Sequence, residues 1–202
     1  MKQIILSSHG FEKNIALKQQ LFNLLPRPAG QLSVVIVTTA SAEWKEKNMH
    51  AISAKKAFEE MGFKEVIFLD IEFEDPNKLK EFDVIYINGG NPFYLLHILR
   101  KTGADIIIKQ CAEKTILVGI SGGGVVLGPN ISIVEYFDSK LNTVGIRDFT
   151  GLGLTDIIMY PHYQDNAEEK IKKFETERNC RVTRLTDQQA LVLVGDVEKL
   201  SQ

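Results

Sequence analysis

Five short runs rich in β-branched residues, QIILS at 3–7, SVVIVTT at 33–39, EVIFLD at 65–70, VIYIN at 84–88 and TILVGI at 115–120, are spaced by segments of helical periodicity. This is the pattern of βαβ units in a parallel sheet. The runs are apolar throughout and do not alternate, as strands do when helices cover both faces of a sheet. The sequence therefore predicts a central, mostly parallel sheet in a three-layer α/β fold.

The connecting segments fit that frame. Glu12 to Leu25 carries Ile15, Leu17, Leu21, Phe22 and Leu25 at near-helical spacing before Pro26 and Pro28 stop it. Ala42 to Met61 reads as a longer amphipathic helix, opened by Ser41 with Glu43 in its first turn and closed by Gly62. Pro92 to Arg100 and Ala104 to Glu113 supply two more helices. After Gly128-Pro129 the pattern loosens, with strand-like runs near 131–134, 142–146, 155–160 and 181–194 and a helix over 166–177. There is no repeat, low-complexity tract or linker, so 1–202 is expected to form one α/β domain.

Composition narrows the partners. With 24 Lys+Arg against 26 Asp+Glu the formal charge is only −2, too little to favour nucleic acid through its phosphates. Cys111 and Cys180 are the only cysteines, too few for a disulfide framework or a thiolate metal site. No apolar run approaches the ~18 residues of a membrane span, and Ile4 to Leu6 is too short for a signal-peptide core. A cytoplasmic protein with no membrane partner is expected. No cofactor is expected, and no metal, since no two histidines occur at ligand spacing.

One segment carries chemistry. Gly119-Ile120-Ser121-Gly122-Gly123 fits G-x-S-x-G between a predicted strand and a short apolar helix, Val125 to Leu127. A serine in such a strand-to-helix turn presents its hydroxyl at the carboxyl edge of the sheet. A phosphate loop is the competing reading of SGGG before a helix, but Leu127 stands where the third glycine of G-x-G-x-x-G should fall and no Lys follows. Gly89-Gly90-Asn91 ends another strand, and turns at the carboxyl ends of parallel strands converge. The N–H groups of Gly90 and Gly122 could thus form an oxyanion hole, although a tight turn alone would account for the glycine pair. Asn91 and Tyr163 are candidates to bind substrate, and Phe93, Tyr94 and Tyr136 to line a pocket or the core.

A serine nucleophile needs a base, and the chain offers His9, His50, His97 and His162. His50 and His97 lie in predicted helices. His9 follows the first strand and stays open, while His162, in the loop Pro161-His162-Tyr163 after a β-like run, is preferred. Spacing does not choose the orienting acid among Glu135, Asp138, Asp156, Asp165 and Asp187.

Taken together, Leu6-Ser7-Ser8-x-Gly10-Phe11, Thr39-Ala40-Ser41, Gly89-Gly90-Asn91-Pro92-Phe93-Tyr94-Leu95, Gly119-Ile120-Ser121 with Gly128-Pro129, Pro161-His162-Tyr163 and Leu185-Thr186-Asp187 resemble the serine peptidase family of aspartyl dipeptidase (peptidase E) and the cyanophycinases. The resemblance runs over nearly the whole chain. It implies a flavodoxin-like sheet of the class I glutamine-amidotransferase type, with Ser121 as nucleophile, His162 as base and Asp187 as the acid. The implied activity is hydrolysis of small peptides through an acyl-enzyme, by a monomer or homodimer. Two departures stand out. The family usually has Ala where this chain has Gly122, and residues 163–177 lack the arginine that receives the substrate aspartate in aspartyl dipeptidases, so Asp-X specificity is not carried over. The alternatives are an esterase or amidase with the same triad, and a catalytically silent relative that binds a small molecule or partner.

Overall fold

A computed structural model describes residues 1–195 and 197–201. Its main sheet has seven strands in the order β3-β2-β4-β5-β1-β8-β9. β1 (Gln3–Ser7), β2 (Ser33–Val37), β3 (Glu65–Leu69), β4 (Val84–Ile87) and β5 (Ile116–Ile120) run parallel, while β8 (Ala190–Val194) and β9 (Val197–Ser201) add an antiparallel edge beside β1. The five parallel strands begin and end within two residues of the predicted runs.

The unbroken apolar runs have a direct physical cause. Ile5, Val34, Ile36, Val84, Tyr86, Ile116 and Val118 point to one face and bury Leu17 and Leu21 of α1 (Ile15–Leu24) with Ala51, Ala54 and Phe58 of α2 (Met49–Glu60). Their neighbours Ile4, Leu6, Val35, Val37, Ile85, Ile87 and Leu117 face the other way, against α3 (Pro92–Thr102), α4 (Ala104–Cys111) and α5 (Gly122–Leu127). Each strand thus loses water on both sides, at about 1.5–3 kcal/mol per fully buried large side chain. The result is the three-layer α/β fold the sequence predicts.

The structure differs from the periodicity in three places. Helix α2 starts at Met49, not Ala42, because Asn48 caps it by accepting the N–H groups of His50 and Ala51. Ser41 instead accepts a hydrogen bond from the Asn48 amide, and Lys45–Lys47 form a separate 3₁₀ turn. The β-branched run at 131–134 folds as α6 (Ser132–Phe137), since only a helix turns Ile133 into a second core with Ile158, Ile171, Phe174 and Val182. Residues 142–146 form no strand; the Asn142 side chain folds them into a turn by bonding both the N–H and the carbonyl of Ile146.

That second core supports a small parallel pair, β6 (Ile158–Tyr160) with β7 (Val182–Arg184), under α7 (Glu168–Arg178). Arg184 ties α7 to it through Glu168 and Glu175. The predicted run 181–194 is therefore two strands in different sheets, β7 and β8, with Asp187 between them.

Candidate active site

The carboxyl ends of β1, β4 and β5 meet at one rim. Ser121 caps α5 just after β5, with φ 48° and ψ −120°, a conformation that a non-glycine residue adopts only when its surroundings impose it. Its N–H is held by the Ser7 carbonyl at 2.8 Å. That bond and the strand behind it force the side chain out of the sheet plane toward the rim.

Pairing of β6 with β7 delivers the next two groups. Beyond Tyr160 and Arg184, which are register partners, the strands continue to converge: Leu185 N–H donates to the Tyr160 carbonyl and Tyr163 N–H to the Leu185 carbonyl, both at 3.0 Å. His162, with φ 56°, and Asp187 therefore emerge side by side. Asp187 also precedes Ala190, which pairs with Ser7 across the antiparallel edge, and this places the carboxylate at the rim where β1 ends.

The geometry is continuous. Ser121 Oγ lies 2.9 Å from His162 Nε2, and His162 Nδ1 lies 2.6 Å from Asp187 Oδ1. Lys13 Nζ reaches Asp187 Oδ2 at 2.9 Å. Partial burial works to raise the Asp187 carboxyl, but the Lys13 ammonium and the His162 imidazole outweigh it and hold the group at about 2. The carboxylate is thus ionised throughout the neutral range. Glu135, Asp138, Asp156 and Asp165 make no contact with the imidazole.

Sequence reasoning gave Ser8 no role, yet its fully buried hydroxyl accepts the His162 N–H at 2.6 Å and lies 3.4 Å from Asp187 Oδ1. It fixes the left-handed backbone that aims the imidazole. Its place in Ser7-Ser8 at the end of β1 was the only signal, and a serine after a strand is too common to assign without coordinates.

Gly90 lines the cleft, and Gly122 packs directly against it. Gly90 has φ +147°, open only to glycine, and a Cβ on Gly122 would come within contact of the Gly90 carbonyl oxygen. The N–H groups of both residues have no hydrogen-bond partner among the described residues. Asn91 and Tyr163 stand apart from the cleft. The Asn91 amide caps α3, accepting from Phe93 and Tyr94 N–H and donating to the Leu141 carbonyl, and the Tyr163 hydroxyl bonds Glu168. Phe93 is core, Tyr94 bonds Glu72, and Tyr136 packs on Phe174.

The cleft itself is about 240 Å³, with Ser8, His9, Asn88, Gly90, Ser121 and His162 on its walls. Burial lowers the pKa of His9, with the nearby Glu12 carboxylate opposing it. A larger hollow of about 600 Å³ lies by Met1, Lys2 and Asp156 at the start of β1, at the other end of the strands from Ser121. Volume alone would favour it, but the groups able to exchange a proton and attack a carbonyl are in the smaller cleft.

The fold is a three-layer α/β fold around a mostly parallel sheet, and comparison with known proteins makes the class specific. The model of peptidase family S51 matches residues 4–200, and the chain belongs to that family of serine peptidases, which also includes the cyanophycinases. An uncharacterized peptidase of Listeria monocytogenes is 35% identical over 151 residues, 72% of this chain and 73% of its own length. An uncharacterized peptidase of Pasteurella multocida is 31% identical over 191 residues, 89% and 91% of the two chains. Peptidase E of Streptomyces coelicolor is 27% identical over 130 residues, 59% of this chain and 52% of its own. A crystal structure described as a peptidase E candidate from Listeria monocytogenes superposes with a TM-score of 0.80 at 29% identity, covering 100% and 98% of the chains. Among the described residues no helix is long and apolar enough to cross a membrane.

Proposed function

We propose that this peptidase hydrolyses the amide bonds of small peptides through a Ser121-His162-Asp187 triad and an acyl-enzyme. The observation that carries the reading is the unbroken hydrogen-bond path from Ser121 Oγ through both ring nitrogens of His162 to Asp187. His162 Nε2 takes the hydroxyl proton as Oγ attacks the substrate carbonyl, and a tetrahedral oxyanion forms. The free N–H groups of Gly90 and Gly122 receive that charge. His162 then returns the proton to the leaving amine as the C–N bond breaks, and water, activated by the same imidazole, releases the acid. Asp187 holds the imidazole in the tautomer that keeps Nε2 free to accept, and stabilises the imidazolium.

The size of the cleft, about 240 Å³, suits a dipeptide-sized substrate better than a long chain. The test is a panel of dipeptides, with small esters and amides beside them, given to the wild-type chain and to Ser121→Ala. Turnover of the cleaved peptide should fall by about six orders of magnitude in the variant. Undiminished hydrolysis would remove the triad, and cleavage of esters alone would move the substrate to a non-peptide class.

A further inference from the structure

The chain has no two histidines close in sequence, but folding gathers His9, Glu12 and His50, and His9 and His50 line the Ser121 cleft. We propose that these three side chains form a site for a divalent transition-metal ion, zinc foremost, and that an ion held there blocks substrate entry.

The backbone sets the three groups in place. Ser7 Oγ donates to the His9 carbonyl at 2.6 Å and is itself held by Asn14 Nδ2. The chain then doubles back, with the N–H groups of Lys13 and Asn14 on the Gly10 carbonyl, so that Glu12 returns beside His9. His50 arrives from the first turn of α2, fixed by the Asn48 cap.

Their spacing fits one ion. A ligand atom of each residue lies within 4.8 Å of the other two. His50 Nδ1 is 2.7 Å and His9 Nδ1 3.6 Å from Glu12 Oε1. Tetrahedral zinc with bonds of about 2.0–2.1 Å separates its ligands by roughly 3.3 Å, a value these two distances bracket. The adjustment is small, and His50, with 61% of its side chain exposed, is free to make it.

An independent observation points the same way. His9 Nδ1 is buried and has no hydrogen-bond partner among the described residues, the 3.6 Å to Glu12 being too long for one. A buried ring nitrogen without a partner is uncommon, and an ion at this position would supply one. Two imidazoles and one carboxylate suit zinc, copper or nickel better than calcium or magnesium, and three protein ligands leave a position for water.

The site also adjoins the proposed chemistry. The His9 ring centroid is 5.2 Å from that of His50 and 6.1 Å from that of His162, and both His9 and His50 line the cleft with Ser121. Blocking rests on the serine-peptidase reading; binding does not.

Isothermal titration with zinc chloride alone tests the site in the full chain. Wild type, Ser121→Ala and His162→Ala should each bind one ion, whereas His50→Ala and Glu12→Gln should bind at least about tenfold more weakly. No stoichiometric binding in wild type, undiminished affinity in His50→Ala, or a loss in His162→Ala instead would overturn the site. In the wild type, zinc should suppress hydrolysis over the range in which it binds, reversibly on chelation, and binding without suppression would overturn the block. If no peptide is cleaved at all, calorimetry still decides the site.

Discussion

Replacing Gly122 by Ala should harm this chain. A Cβ built at Gly122 stands 2.3 Å from the Gly90 carbonyl oxygen and 3.2 Å from Pro92 Cδ, so the first contact falls about 1.1 Å short of the 3.4 Å where ordinary contact begins. The carbonyl has nowhere to go. Its peptide is pinned by the Asn91 N–H on the Ala40 carbonyl at 2.9 Å, and Gly90 Cα already packs so closely on Ala40 that a Cβ there would also clash. On the other side, α5 is fixed through the Ser121 N–H on Ser7. Overpacking of this kind costs about 1–3 kcal/mol. For a chain of this size each kcal/mol lowers Tm by about 2–4 °C, so thermal unfolding should shift down by about 2–12 °C. Because the displaced peptides flank the proposed oxyanion donors, a shift approaching 1 Å should also cut kcat by up to about 100-fold, with KM less affected. Circular dichroism melts and steady-state kinetics on a cleaved dipeptide measure both. Unchanged Tm together with unchanged kcat would refute the claim that close backbone approach requires glycine here.

Ser8→Ala leaves the His162 N–H without its buried acceptor and should cost about 1–3 kcal/mol in chemical denaturation; as Ser8 is a positioning residue, kcat should fall while KM holds, and an unaltered kcat would count against that role. Lys13→Met probes the Asp187 carboxyl. Its native value, about 2, lies below the ordinary 3.8, so its contribution to stability is complete above that ordinary value and disappears as pH falls toward 2. Without the ammonium the native value rises, and acid unfolding should begin at higher pH, by an effect under about 1 kcal/mol because Lys13 is half exposed. Superimposable acid-unfolding curves at low salt would contradict this.

How much of the molecule could be read without coordinates depended on whether a residue's role was set by its neighbours in sequence. The five parallel strands were readable because burial on both faces leaves an apolar run that no polar residue interrupts. Ser121 was readable for a similar reason: the glycines that let a helix start immediately after a strand flank it directly. The start of α2 was misread because Ser41 and Asn48 are both good caps, and the choice falls to contacts at the rim of the sheet, where the Asn88 amide also bonds Asn48. Residues 131–134 were misread because β-branched side chains favour strands until a helical face finds a hydrophobic partner, here Ile158 and Phe174.

The sequence by itself determined the layered architecture and the position of the proposed nucleophile, since periodicity and glycine spacing act over a few residues. It favoured His162 by its place in a loop after a β-like run, and pointed to Asp187 only through resemblance to a family. Tertiary structure alone decided that Ser8 would grip the His162 backbone, that the Asn91 amide would donate to the Leu141 carbonyl, and that His9, Glu12 and His50 would meet. Those outcomes depend on how strands and helices are arranged in space, which brings together residues such as Ser8 and His162, 154 positions apart. Chain-local preferences carry no information about such distances, because the free energy that fixes them comes from burying whole faces against one another.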